Sequence, residues 1–182
     1  MKNFPFSFDR FYVDLVKKAI HAATKGHNDT NHTYGDASYT IHLAHVVDVA
    51  YRFISLVPME KRSIVIASCW LHDSIEDARM SYNDVKKLTN VEVAEIVRAV
   101  TNYTRGRNRD ERMPDFIYHD IRDTDQATFV KLCDRIANIE SKGKVEMYKK
   151  ENIHFKEMIF HENYREMFEY IEWLLDQPTQ NK

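Results

Sequence analysis

Apolar residues recur every three or four positions along most of this chain, a spacing that predicts α-helices. The run from Ile64 to Leu71 is apolar almost all round, so we expect it to lie in the middle of the fold. No segment shows the two-residue alternation of a half-buried strand. Glycine commonly marks helix ends, and the four glycines fall between the periodic stretches: Gly26, Gly35, Gly106 and Gly143. The sequence therefore predicts an all-α fold.

Local signals at the ends of these stretches give approximate helix boundaries. Ser81 and Asp84 have the three-residue spacing of a capping box, and proline suits the first turn of a helix. The arginine-rich segment 105–112 is predicted to be a loop, either solvated or able to bind phosphate. The predicted helices run from Ser7 to near Gly26, from Tyr39 to Ile54, from Pro58 to Leu71, from Ser81, from Asn90 to Val100, from Pro114, from Thr124 or Asp125, and from about Lys144 to Asp176.

Composition narrows the class of protein. The length of 182 residues predicts one domain over residues 1–182, and 43% hydrophobic with 30% charged residues is typical of a globular chain. A net charge of −2 argues against polynucleotide binding, and no stretch suits a membrane span. The N-terminus lacks the pattern of a secretory signal, so we expect a cytoplasmic protein. Cys69 and Cys133 are then expected to be buried thiols.

Ionisable residues end the most apolar predicted helix. Burying His72 and Asp73 there is costly unless partners or a metal compensate for the lost hydration. Glu76 follows His72 by four residues, and Asp77 follows Asp73 by four. The three carboxylates would then be so close that they would repel one another without a cation. An imidazole with carboxylates is a ligand set for a first-row divalent ion.

Two further residues on amphipathic stripes could complete this set. His42 and Asp134 each occur where the core is expected. His45, three residues after His42, is the alternative histidine ligand, with a packing role as the other interpretation. Cys133 adjoins Asp134 but points about 100° away around a helix, which favours the core over ligation.

Three segments together resemble the hydrolase domain of RelA/SpoT enzymes and their small stand-alone relatives, within the HD superfamily. The segments are Tyr39-Thr-Ile-His42, Leu71-His-Asp-Ser-Ile-Glu-Asp77 and Val130-Lys-Leu-Cys-Asp-Arg-Ile-Ala-Asn138. Their order and approximate spacing also match, from the first helix to about Ser141. The resemblance implies a single-domain bundle of about ten helices with one divalent metal ion, usually Mn²⁺. The implied ligands are His42, His72, Asp73 and Asp134.

The resemblance also implies an activity. Glu76 and Asp77 would assist the attacking water, and Asn138 and Ser141 would lie beside a nucleoside. The implied reaction is hydrolytic removal of the 3′-pyrophosphate of guanosine tetra- or pentaphosphate. Alternatives are a phosphatase of the same type acting on a nucleoside monophosphate or a 2′-phosphorylated dinucleotide such as NADPH, and a non-catalytic nucleotide sensor.

Other residues leave alternatives open. Asn31 and His32 occupy positions where the family usually has an arginine and a lysine that contact the purine, so weaker purine contact is expected. Lys131 and Arg135 either bind substrate phosphate or pair with carboxylates. The aromatic face of the last helix, which includes Trp173, belongs to the core or to a surface for a homo-oligomer. Apart from a second copy of the chain, the expected partner of the protein is a small-molecule nucleotide.

Overall fold

The computed structural model describes residues 10–102, 113–142 and 145–177. Within these ranges the regular structure is helical apart from one two-stranded hairpin, which confirms the all-α prediction. The arginine-rich segment 105–112 lies outside the described residues. The helices are α1 (Arg10–Asp29), α2 (Thr40–Arg52), α3 (Arg62–Leu71), α4 (Ser74–Asp77), α5 (Tyr82–Leu88), α6 (Val91–Val100), α7 (Asp115–Asp123), α8 (Ala127–Lys142), α9 (Val145–Ile159) and α10 (Arg165–Asp176).

The apolar helix α3 lies at the centre of the bundle, as its sequence predicts. Every residue from Ile64 to Cys69 is buried, and α1, α2, α6 and α8 pack around it. Burial of apolar surface contributes about 25 cal/mol per Å², so the apolar side chains of α3 stabilise its packing against these neighbours. Cys69 and Cys133 are both buried free thiols, as predicted.

Two caps predicted from the sequence are present. Ser81 and Asp84 form a reciprocal capping box at the start of α5, and the Asn90 side chain accepts a hydrogen bond from the Val93 amide at the start of α6. Each cap satisfies an amide that the first helical turn leaves without a partner.

Helix α1 ends at Asp29, three residues beyond the predicted end at Gly26. A Cβ atom at Gly26 would lie 3.0 Å from the Ala78 Cβ, so glycine here permits close packing against the segment after α4. Gly26 therefore serves tertiary packing rather than helix termination.

Two other differences from the sequence-based prediction lie in the last helical region and in the segment between α1 and α2. The last predicted helical region divides into α9 and α10, which a short 3₁₀ turn at Glu162–Tyr164 separates. The hairpin that the sequence did not predict pairs Thr33–Tyr34 with Ala37–Ser38, and Gly35 adopts a φ of +61° at its turn. Two-residue strands are too short to give a periodic signal.

The bundle brings the predicted ligand-bearing segments together. Helices α2 and α8 pack against each other and against α3, and the short helix α4 follows α3 almost directly. No helix among the described residues is long and apolar enough to cross a bilayer.

Candidate metal centre

Three side chains from three segments of the chain converge at the end of α3. His42 of α2, His72 after α3 and Asp134 of α8 each contribute one ligand atom, and these atoms lie within 4.8 Å of one another. The Asp134 Oδ1 atom is 3.3 Å from His42 Nε2 and 3.6 Å from His72 Nε2. Two imidazoles and a carboxylate form a group that could hold a metal ion.

The end of α3 fixes the orientation of His72. Carbonyls in the last turn of a helix have no partner within the helix, and the His72 Nδ1 atom donates to one of them, the Cys69 oxygen, over 2.8 Å. A neutral His72 then presents its Nε2 lone pair towards Asp134. This buried Nε2 makes no hydrogen bond among the described residues. An unsatisfied imidazole nitrogen beside a carboxylate fits a metal ligand.

The fourth predicted ligand, Asp73, lies beside this group rather than within it. Its Oδ2 atom is 3.0 Å from His72 Nε2, and the Tyr39 hydroxyl donates a hydrogen bond to the same oxygen. Asp73 is partly exposed to the adjacent cavity. Its position allows it to share a cation with His72.

The electrostatics of the group correspond to a site that needs positive charge. Burial lowers the pKa of His72, but the Asp73 and Asp134 carboxylates outweigh this effect and raise the pKa well above its ordinary value. Burial disfavours the Asp134 carboxylate, yet its contacts with His42 and His72 hold the Asp134 pKa well below the ordinary value. In the metal-free protein, a proton on His72 therefore balances these carboxylates, and a bound cation would displace it.

A second layer of contacts orients the candidate ligands. The Asn138 side-chain amide donates to both the backbone oxygen and the carboxylate of Asp134. The Tyr34 ring, which the hairpin positions, stacks on His42 at a centroid distance of 4.9 Å. The sequence interpretation placed Asn138 beside a nucleoside, and the structure places it in contact with Asp134 and in the wall of the cavity.

Glu76 and Asp77 line the same cavity but have different surroundings. The Asn102 backbone and side-chain amides donate to the Glu76 carboxylate over 3.1 and 3.3 Å. Burial, followed by repulsion from Asp73 and Glu76, raises the pKa of Asp77 to about 6. An Asp77 carboxylate of this kind can accept a proton near neutral pH. The contribution of Asn102 was not predicted, because no sequence pattern connects it to α4.

The cavity beside the candidate metal group has a volume of about 430 Å³, enough for a small molecule. Lys131 reaches its wall, with its ammonium group 3.2 Å from the Val100 oxygen and 3.3 Å from the Asn102 Oδ1 atom. Arg135 is buried at the wall, where its guanidinium group lies 3.9 Å from the Phe155 ring centroid and 3.6 Å from a Glu151 carboxylate oxygen. Both cations therefore already have protein partners.

Two residues considered from the sequence lie in a different network. His45 contacts Glu140 over 2.7 Å through Nε2 and Ser141 over 2.8 Å through Nδ1. Both ring nitrogens are engaged, so His45 packs between helices rather than joining the candidate ligands. Ser141 is exposed and is not among the described residues that line the cavity. Among the aromatic residues of α10, Phe168 is buried and Trp173 is 55% exposed.

We expect Tyr39→Phe to weaken binding of Mn²⁺ by about 10- to 100-fold, the usual effect of losing an outer partner of a metal ligand. The change removes the hydroxyl that donates to Asp73 and keeps the aromatic ring. Titration calorimetry of the metal-free protein with Mn²⁺ measures the effect. Tyr51→Phe, which alters an exposed tyrosine, is the matched control. Equal affinities for Tyr39→Phe and the unmodified protein would contradict a role for Asp73 in metal binding.

Comparison with known proteins gives one distant similarity. No protein-family model matches the chain. A probable chloroplastic GTP diphosphokinase of rice, Oryza sativa subsp. japonica, is 25% identical over 142 residues, which include 72% of this chain. The match spans 19% of that relative's length. This distant similarity points to the RelA/SpoT family named above.

Proposed function

We propose that residues 1–182 act as one HD-type domain, a metal-dependent phosphohydrolase that removes the 3′-pyrophosphate of guanosine tetra- or pentaphosphate. The observation that carries this proposal is the buried His72 Nε2 atom, which faces Asp134 without a hydrogen bond while Nδ1 is fixed by Cys69. This arrangement fits a cation, and it opens on a cavity lined by acidic, basic and aromatic side chains.

The residues that would hold the ion are His42, His72, Asp73 and Asp134, and we propose Mn²⁺ as the ion. Mixed imidazole and carboxylate ligands suit manganese among several first-row metals. When bound, such an ion lowers the pKa of coordinated water and polarises a phosphoryl oxygen.

The chain's own residues supply the remaining steps. Asp77, whose pKa is raised to about 6, accepts the proton from the attacking water. Asn102 holds the Glu76 carboxylate in the same cavity wall by one hydrogen bond to each oxygen. Each oxygen keeps a further lone pair, which can accept a hydrogen bond from the attacking water and so orient it. Lys131 and Arg135 supply positive charge for the phosphoryl oxygens, and the partners that hold them fix where that charge lies.

The distant relative supports the nucleotide class of the substrate. That relative is a probable GTP diphosphokinase, and the aligned region includes most of this chain. The hydrolytic direction is proposed from the acid-base pair beside the candidate metal group, because water is the nucleophile that such a pair activates.

A second candidate keeps the chemistry and changes the substrate to a nucleoside monophosphate or a 2′-phosphorylated dinucleotide such as NADPH. The observation in its favour is at His32, where the resemblance implies a purine-contacting cation. The His32 ring instead stacks on Tyr39 within the protein, with 4.0 Å between centroids.

A nucleotide panel distinguishes these functions. The protein loaded with Mn²⁺ is incubated with guanosine tetraphosphate, GMP, AMP and NADPH, and pyrophosphate and orthophosphate are quantified separately. We expect pyrophosphate from guanosine tetraphosphate. Orthophosphate from another nucleotide alone would favour the second candidate. Binding of a nucleotide without turnover would favour a non-catalytic sensor and overturn the proposed hydrolase.

A further inference from the structure

The segment that follows α6 lies in the cavity wall between two charged side chains. Helix α6 ends at Val100, and Thr101 has an extended backbone conformation. The Thr101 hydroxyl donates to the Val97 oxygen over 2.7 Å, which ties this segment to the last turn of the helix. Asn102, the next residue, is thereby held close to the end of α6, where it lines the cavity.

Asn102 contacts a carboxylate on one side and an ammonium group on the other. Its backbone amide donates to Glu76 Oε2 over 3.1 Å, and its side-chain Nδ2 donates to Glu76 Oε1 over 3.3 Å. Its side-chain Oδ1 accepts from the Lys131 ammonium over 3.3 Å. The same ammonium donates to the Val100 carbonyl, since carbonyls at a helix end lack a partner within the helix. The Asn102 side chain therefore joins two groups of opposite charge.

The chemistry of these two partners fixes the orientation of the Asn102 amide. An ammonium group can only donate hydrogen bonds, whereas an ionised carboxylate can only accept them. The amide oxygen must therefore face Lys131, and the amide nitrogen must face Glu76. The opposite orientation would place an N–H against the ammonium and a carbonyl oxygen against the carboxylate, so both contacts would be repulsive.

The neutral amide also keeps the two charges apart. Lys131 and Glu76 form no ion pair with each other in the part of the chain that the structure describes, although each is bonded to Asn102. Opposite charges attract more strongly in a partly desolvated cavity than in water. If the amide were absent, the long Lys131 side chain would be drawn towards Glu76. A direct ion pair would occupy the carboxylate and neutralise the ammonium, so neither group would remain available to substrate or water.

We infer that Asn102 is a positioning residue, whose side-chain amide orients the Glu76 carboxylate towards the attacking water and keeps it apart from Lys131. This inference rests on the proposed function, in which Glu76 orients that water. A residue that acts through Glu76 loses its effect on kcat when Glu76 is removed. A residue that only maintains packing would cause the same loss whether or not Glu76 is present.

Two substitutions separate the hydrogen bonds of Asn102 from its size. Asn102→Ala removes both side-chain contacts, whereas Asn102→Asp keeps the volume and the acceptor for Lys131 but places a second carboxylate against Glu76. We expect each to lower kcat by ~10-fold, the effect of losing one hydrogen bond to a charged group. Asn163→Ala, at an exposed asparagine, is the matched control. An unchanged kcat in Asn102→Asp would show that only the size of the side chain matters and would overturn the inference.

A double-mutant cycle with Glu76→Ala tests whether Asn102 acts through Glu76. The Mn²⁺-loaded proteins are assayed with guanosine tetraphosphate at saturating concentration. We expect Asn102→Ala to lower kcat by ~10-fold when Glu76 is present, and by less than about 2-fold in the Glu76→Ala background. Equal losses in the two backgrounds would overturn the inference and leave the proposed function in place.

Urea unfolding of the same proteins without metal tests the contact independently of turnover. Asn102→Ala should lower the midpoint of unfolding less in the Glu76→Ala background than in the unmodified protein, because residues in contact are energetically coupled. Equal changes in the two backgrounds would contradict the contact and overturn the inference. If the unmodified protein hydrolyses no nucleotide but the midpoints are coupled, the proposed function fails, while the hold of Asn102 on Glu76 is confirmed.

Discussion

Asp134→Asn and His72→Ala are expected to leave the protein folded but without its metal ion. Loss of an outer partner alone costs about 10–100-fold in metal affinity, so loss of a ligand should exceed about 100-fold. The unmodified protein should carry about one ion per chain, because the proposed ligands form one group that could hold a single metal ion. Metal analysis after gel filtration measures the content, and circular dichroism measures the helical structure.

The two variants test the group in different ways. Asp134→Asn keeps an oxygen that can accept from Asn138, so the local hydrogen bond survives while the charge is lost. His72→Ala removes the nitrogen that faces the site and also the bond to Cys69. Asp48→Asn removes an exposed carboxylate of α2 and is the control for charge. Full metal content in both folded site variants would show that the ligands are assigned incorrectly.

Asp77→Asn is expected to retain the metal ion and to lower kcat by ~100-fold or more, because general acid-base catalysis contributes about 10²–10⁴. The substitution conserves shape and removes the group whose raised pKa of about 6 suits proton transfer. Glu76→Gln should have a comparable effect on kcat. Steady-state hydrolysis at saturating substrate by the Mn²⁺-loaded variants, with metal content measured on the same samples, gives kcat for each.

The two carboxylates differ in how cleanly they can be tested. The Glu76 carboxylate accepts two hydrogen bonds from Asn102, so Glu76→Gln also places an amide N–H against a donor. Asp77→Asn avoids this clash and is the sharper variant. Glu60→Gln, at an exposed position before α3, is the control. An unchanged kcat in both Asp77→Asn and Glu76→Gln would remove these residues from the mechanism.

Local signals determined the helical class and several boundaries. The spacing of apolar residues predicted the central position of α3, because a helix that is apolar all round can only be buried. The caps at Ser81 and Asn90 were also predictable, since a cap depends on residues within one turn. Gly26 was interpreted incorrectly, because its role depends on Ala78, which is distant in sequence.

At the candidate site, too, the sequence predicted some features and only the tertiary structure showed others. The sequence predicted His42, His72, Asp73 and Asp134 as ligands of a divalent ion, and the packing of α2, α3 and α8 brings His42, His72 and Asp134 into a group that could hold a metal ion. Only the tertiary structure showed that Asn102 holds Glu76 and that His27 and Tyr39 hold His32. Residue type and helical period determine which groups must be buried or charged. The partners that orient them come from other segments, so their identity depends on how the helices pack.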